Sequence, residues 1–392
     1  MEEDVYPSGN YLDMIFNLFK VRYIFMTDLF KKFEFTNVNK VNFFINLESI
    51  YSYIHRENIE SVLRSSTKLE LNNNYKSFIS NIINLAAHYR QYFTRARVTS
   101  NIIFYTSDFK MDRNRLNNRA YNTKYRKYFY NTYLANDKYD LVNTMIVDGV
   151  QLAKPICEHI DRVFLVNSGV VEASVVPYLL KDTNKLKADL NIILTKDSYD
   201  LQYTNHNCIV LWPNKEESIT LTKANVMSFL RYKNDMEESS IDVNINPKLI
   251  PFMLSVLGDK KRSIDKVKGI GFKKLYRGLE KLYLKDFISD ENESSLLFES
   301  LIDLVKTTKG FGEDSSVKDM IGYNYYCIDL IRQADVVNQT AMMMLDDQII
   351  NKFDNDSLKK LNDGLFNDYP FNLQELAIYD RADSNPFESM TL

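Results

Sequence analysis

The stretch Gly258-Asp259-Lys260-Lys261-Arg262, followed by Lys266, Lys268 and the triplet Gly269-Ile270-Gly271, carries the residue types that grip phosphate. A Gly-x-Gly turn at the start of a helix presents backbone N–H groups to an anion, and Lys273 and Lys274 stand just beyond it. A second set of residues falls where strands are expected to close: Asn46, Asp108, Glu172 just after the Ser168 turn, and Asp197. In an open parallel sheet the ligand site lies outside the carboxyl ends of the strands. Three acids and one amide at such an edge are placed to meet a polar or charged ligand.

The elements that must position these groups are legible as short apolar runs. Residues 41–45, 101–108, 162–168, the opening of 188–203, and 208–214 each read as a strand. Between them the pattern turns helical: after Asn46, over 74–97 with a basic end, and from Val171. Strand–helix alternation predicts a parallel sheet covered by helices. Residues 11–35 predict one or two amphipathic helices, and from about Pro247 onward the chain reads as helical. The polar segment 235–247, ended by a proline, reads as a linker.

Composition narrows the classes. With 392 residues and 45% apolar content the chain can bury a real core. A net charge of −3 gives no global basic bias, so any nucleic-acid surface must be a local patch. Three separated cysteines, Cys157, Cys208 and Cys327, argue against a disulfide frame or a zinc site and are expected to be buried and inert. No apolar run reaches the length of a membrane span, and the acidic start is unlike a signal peptide. An intracellular protein is expected. Heavy use of Asn, Lys, Tyr, Phe and Ile follows AT-rich codons and points to a phage or other virus, hence to the cytoplasm of a host cell or to a virion. The run Met342 to Leu345 is expected in the core.

The order of these pieces, from about Val41 to Leu279, resembles the 5′-nuclease superfamily: flap endonucleases, polymerase-associated 5′→3′ exonucleases of bacteria, and phage 5′-nucleases, with a PIN-like core. The family opens its first strand on an Asp, where this chain has Asn46. Asp108 corresponds to its second-strand acid, and the stretch 119–131, with Lys124, Arg126 and Lys127, to the segment that contacts a 5′ end. The family's Glu-Ala-Asp-Asp cluster becomes Glu172-Ala173-Ser174-Val175. Its Asp-x-Asp-x-x-Gln keeps Asp197 and Gln202 but has Tyr199 at the second acid, where Asp200 substitutes only with a rearranged backbone. Its Gly-Asp-x-x-Asp keeps Gly258 and Asp259 but ends in Arg262, ahead of an intact Gly269-Ile270-Gly271.

The resemblance implies an α/β fold: a PIN-like, mostly parallel central sheet flanked by helices, then a helix-hairpin-helix region and a helical carboxyl-terminal part. The divisions expected are an N-terminal helical extension (1–40), the core (41–246), the helix-hairpin-helix (247–285), a C-terminal helical region (286–380) and a tail (381–392). It also implies a candidate residual Mg²⁺ site at Asp108, Glu172, Asp197 and Asp259, a cofactor only if that site is occupied. Two-metal phosphodiester hydrolysis needs carboxylates that hold two Mg²⁺ ions roughly 4 Å apart. Asn46, Val175, Tyr199 and Arg262 each remove a ligand or its charge.

The chain therefore reads as a non-catalytic 5′-nuclease homologue that binds DNA backbone through Lys124, Arg126, Lys127, Lys261, Arg262, Lys266, Lys268, Gly269, Gly271, Lys273 and Lys274. A divergent Mg²⁺-dependent 5′→3′ exonuclease or flap endonuclease is the competing reading, and a protein–protein scaffold without DNA binding is a third. Asp197 and the other strand-end acids have the plainer alternative of capping helices or facing water. Protein partners are expected through the N-terminal helices and the tail, where Phe387 and Leu392 are anchors.

Overall fold

The computed structural model describes residues 37–47, 82–83, 85–107, 150, 153–168, 173–181, 183–213, 218–236, 245–259, 264–284, 294–309, 315–336 and 339–350. The N-terminal helical reading, most of the 235–247 linker and the tail lie outside them.

Six strands form one sheet: β1 (Lys40–Asn46), β2 (Thr99–Thr106), β3 (Val163–Asn167), β4 (Leu190–Leu194), β5 (Cys208–Trp212) and β6 (Ile219–Leu221). Their order is β3-β2-β1-β4-β5-β6. All neighbours pair in parallel except β5 and β6. The class expected from the sequence, a mostly parallel sheet with helices on both faces and helices beyond it, is the one observed. Strand β6 is absent from the sequence reading because three residues are too few to display a period.

Alternation along β1 separates two cores. Val41, Phe43 and Ile45 join one apolar cluster, with Ile83, Phe93, Ala153 and Ile156 of the helical stretches that precede β2 and β3. Phe44 faces the opposite cluster, built with the helices that follow the sheet. Those helices are α1 (Val176–Leu180), α2 (Val226–Lys233), α3 (Ile250–Leu257), α4 (Phe272–Leu284), α5 (Ser294–Lys309), α6 (Ser315–Ile328), α7 (Leu330–Val336) and α8 (Gln339–Asp346).

Asn42 lies on the same face as Phe44, buried, and binds its register partners on both neighbouring strands. Its amide donates to Asn191 at 3.0 Å and to the Leu186 carbonyl, while Asn101 donates to its oxygen at 2.8 Å. A row of amides inside an apolar layer fixes strand register, since a one-residue slip would leave each of them unpaired.

The carboxyl-terminal helices are tied to the sheet by polar side chains. The amide of Gln348 donates to the Asn167 carbonyl (2.9 Å) and accepts from the Asn167 N–H (3.0 Å), covering the last residue of edge strand β3. Lys154 donates to the same Gln348 oxygen, and Lys185 pairs with Asp346 at 2.9 Å. The methionine run corrects one expectation. Leu345 is buried, but Met343 and Met344 are each 65% exposed, because α8 lies on the surface and only one side of it meets α1.

Cys157 and Cys208 are buried, with thiols pushed up to about 12 by desolvation, which makes them inert; Cys327 is half-buried. Among the described residues no helix is long and apolar enough to cross a membrane.

Candidate functional site

Strand β1 is the pivot of the sheet. The chain winds from β1 through β2 to β3 on one side, then returns to β4 on the other. The carboxyl ends of β1 and β4 therefore flank the point where the winding reverses, the place such sheets reserve for a ligand. Asn46 ends β1, and Asp197 and Asp200 follow β4.

The chain after β4 folds locally as its sequence directs. Thr195 Oγ1 accepts the Asp197 N–H at 2.9 Å, and the Asp197 carboxylate accepts the Tyr199 N–H at 3.0 Å. Asp197 thus caps the 3-10 turn Ser198–Tyr203, the plainer of its two readings. Asp200 lies within this turn, among its buried residues. Asp200 is fully buried, and its Oδ2 accepts the Asn46 amide at 3.2 Å and the Tyr105 hydroxyl at 3.4 Å. The neighbouring Thr195, Asn46 and Ser174 side chains favour the ionised form of this carboxyl, more weakly than its burial disfavours it.

Desolvation first, and the neighbouring charge of Asp197 second, push the Asp200 carboxyl up to about 7. Burial and then the Asp200 charge hold the Tyr105 and Tyr203 hydroxyls far above their ordinary value, so both remain protonated donors. Tyr203 uses its proton on the Ser174 carbonyl at 2.5 Å. Tyr199, Ser174 and Val175, standing where the resemblance calls for acids, are all buried.

Gln202 has a bridging role that the sequence did not reveal. Its amide donates to the Tyr199 carbonyl (2.8 Å) and the Ile328 carbonyl (3.2 Å), and its oxygen accepts the Leu330 N–H at 2.9 Å. One side chain thus joins the turn after β4 to the junction of α6 and α7.

Among the described residues no group of three or more His, Cys, Asp or Glu side chains is gathered for a metal. The described donors at the switch point are a carboxylate engaged as a cap, a buried carboxyl of raised pKa and an amide N–H₂ that points at it. These described donors do not by themselves seat paired Mg²⁺, which is held by several charged oxygens. The backbone of Asp259 exchanges hydrogen bonds with that of Ile264 at 2.9 and 2.8 Å, which closes its turn. The candidates Asp108, Glu172, Lys124, Arg126, Lys127, Lys261 and Arg262 lie outside the described residues.

The basic turn is built as its glycines suggest. Gly258 ends α3 at φ +70°, and a Cβ there would meet the Ile264 carbonyl and the Lys266 nitrogen at 2.6 Å. Val267 and Ile270 are buried and pin the segment to the core, while Gly269 adopts φ +76° between them. Among the described residues nothing lies within 4 Å of the position a Cβ would take at Gly271, at the entrance to α4. Lys266, Lys268, Lys273 and Lys274 are all exposed around it. Arg277 and Lys281, also exposed, extend the row from Lys273 along one face of α4; their four-residue spacing was the available signal.

No family model matches the chain, and no curated protein matches it. Among solved structures it is similar to a bacteriophage T5 protein co-crystallised with metal ions, at 14% identity over 82% of this chain and 99% of that one, with a TM-score of 0.43. It is also similar to the bacteriophage T5 flap endonuclease in a pseudo-enzyme–product complex with DNA and metal ions (12% identity, 86% and 99% covered, TM-score 0.41). A third is the catalytic core of Rad2 in complex with DNA substrate (10% identity, 88% and 94% covered, TM-score 0.38). The likeness is one of overall fold.

Proposed function

We propose that the chain is a nucleic-acid-binding protein on a 5′-nuclease-like scaffold that does not carry out two-metal hydrolysis. The observation that supports the loss of chemistry is the Asn46–Asp200 hydrogen bond at the switch point. Asp200 is fully buried where it accepts this bond, and that burial, against the pull of the Asn46 amide, raises its pKa and weakens its charge near neutral pH. A carboxyl buried in this way gathers a cation less readily than an exposed one.

The retained activity belongs to the turn at 264–271 and the first turns of α4. The N–H groups at the start of α4 have no partner within the helix, and a phosphate oxygen would satisfy them while Lys268, Lys273 and Lys274 neutralise its charge. Contacts of this type read backbone rather than sequence, so the ligand is a nucleic acid, taken here as DNA, bound without strong sequence preference. A place in the replication or assembly machinery of a phage or other virus accords with the codon bias of the chain.

Titration of the protein into a fluorescent nicked duplex at several salt concentrations tests this reading. Binding should weaken steeply with salt, and Lys273→Glu/Lys274→Glu should reduce the log–log slope by about two. Absence of binding at low salt would leave only a protein–protein scaffold.

A further inference from the structure

We propose that Asn324, on α6, is a positioning residue for the basic turn, setting its place relative to α3 without itself touching a ligand. The proposal rests on the reading of that turn as a nucleic-acid grip only for its functional consequence; the structural claim stands on the hydrogen bonds alone.

A helix leaves its last four carbonyls without intrahelical partners. In α3 the Leu254 carbonyl accepts the Gly258 N–H at 2.8 Å and the Val256 carbonyl accepts the Val267 N–H at 2.8 Å. The carbonyl between them, that of Ser255, is met by Asn324 Nδ2 at 2.9 Å. The same nitrogen donates to the Asp265 carbonyl at 2.8 Å, on the returning limb of the turn. One amide therefore spans the two sides of the loop, from the end of α3 to the residue that precedes Lys266.

Asn324 is 1% exposed, and its buried Oδ1 has no hydrogen-bond partner among the described residues. A buried acceptor left unsatisfied is costly, and a side chain that served packing alone would carry no such group. Only the two donor hydrogens account for an amide here. The Val267 N–H on the Val256 carbonyl also ties the returning limb to α3, but among the described residues Asn324 is the side chain whose hydrogen bonds reach both the end of α3 and Asp265. Because α6 is also held at Ile328 by Gln202, one helical turn later, the strut that fixes the basic turn is anchored to the sheet.

Two substitutions in the full chain separate positioning from packing. Asn324→Asp keeps the shape but turns an oxygen toward two carbonyl oxygens. Asn324→Ser keeps a single donor. Hydrogen–deuterium exchange without nucleic acid should show amides of 258–271 exchanging about tenfold faster in Asn324→Asp and by a smaller factor in Asn324→Ser, with β1 and β4 unchanged. In the duplex titration the Asn324→Asp slope should fall by about one, as a displaced turn loses a phosphate. If the aspartate chain does not fold, the serine chain carries the same comparison. Unchanged exchange over 258–271, or an equal rise across the sheet, would overturn the assignment. A wild-type chain that binds no duplex would overturn the nucleic-acid reading and leave the exchange result to decide on Asn324.

Discussion

Asn46 and Asp200, 154 residues apart in sequence, meet through a buried hydrogen bond of 3.2 Å at the point where the winding of the sheet reverses. The bond joins the end of β1 to the turn after β4, and it occupies the position at which an open α/β sheet ordinarily receives a ligand.

A pH dependence follows from the Asp200 carboxyl, which is pushed up to about 7 in the folded chain against an ordinary value near 4. The native state then holds a proton that the unfolded chain releases between those limits. Stability from this group is fully present below about pH 4 and is lost as pH rises through 7, by on the order of a few kcal/mol. Asp200→Asn cannot ionise. Urea midpoints measured from pH 4 to pH 8 should decline for the native chain above pH 5 and should lack that decline in Asp200→Asn.

The glycines of the basic turn differ in what they tolerate. Gly258→Ala combines a positive φ with backbone contacts at 2.6 Å and should cost roughly 3 kcal/mol. Gly271→Ala meets open space and should cost less than about 1 kcal/mol. Parallel thermal melts decide, and equal losses would show that the turn is not built as described.

Gln202→Glu keeps an acceptor for the Leu330 N–H but places oxygen against the Tyr199 and Ile328 carbonyls. A loss of about 2–4 kcal/mol is expected, since buried partners are left unmet. Exchange should rise most at 328–336, which locates the damage at the α6–α7 junction.

The amide row in the sheet gives a prediction of opposite sense for one and for three changes. Asn42→Leu alone strands the Asn101 and Asn191 amides and should destabilise by about 2 kcal/mol or more. Replacing Asn42, Asn101 and Asn191 together by apolar residues should recover most of that loss. A triple variant worse than the single one would show that the row contributes more than register.

Local pattern carried much of this to the sequence. Five strands, the helices after Pro247 and the Gly258 and Gly269 turns follow from alternation, apolar runs and glycine placement, all set within a few residues. The site was only half legible. Asn46 and Asp197 could be placed at strand ends, but the Asn46–Asp200 bond could not, because nothing local distinguishes a buried aspartate from a solvated one. Gln202 was noticed for its spacing, yet its bridge to Ile328 and Leu330 depends on packing across more than a hundred residues. Met343 and Met344 misled for the same reason: an apolar side chain does not announce which side of its helix has a neighbour.

The most direct measurement is incubation of the protein with a labelled 5′-flap duplex in Mg²⁺ and in Mn²⁺, with complex and product followed on the same gel. A shifted complex with the strand intact is the outcome predicted here. Cleaved strand that disappears in Asp197→Ala would contradict it.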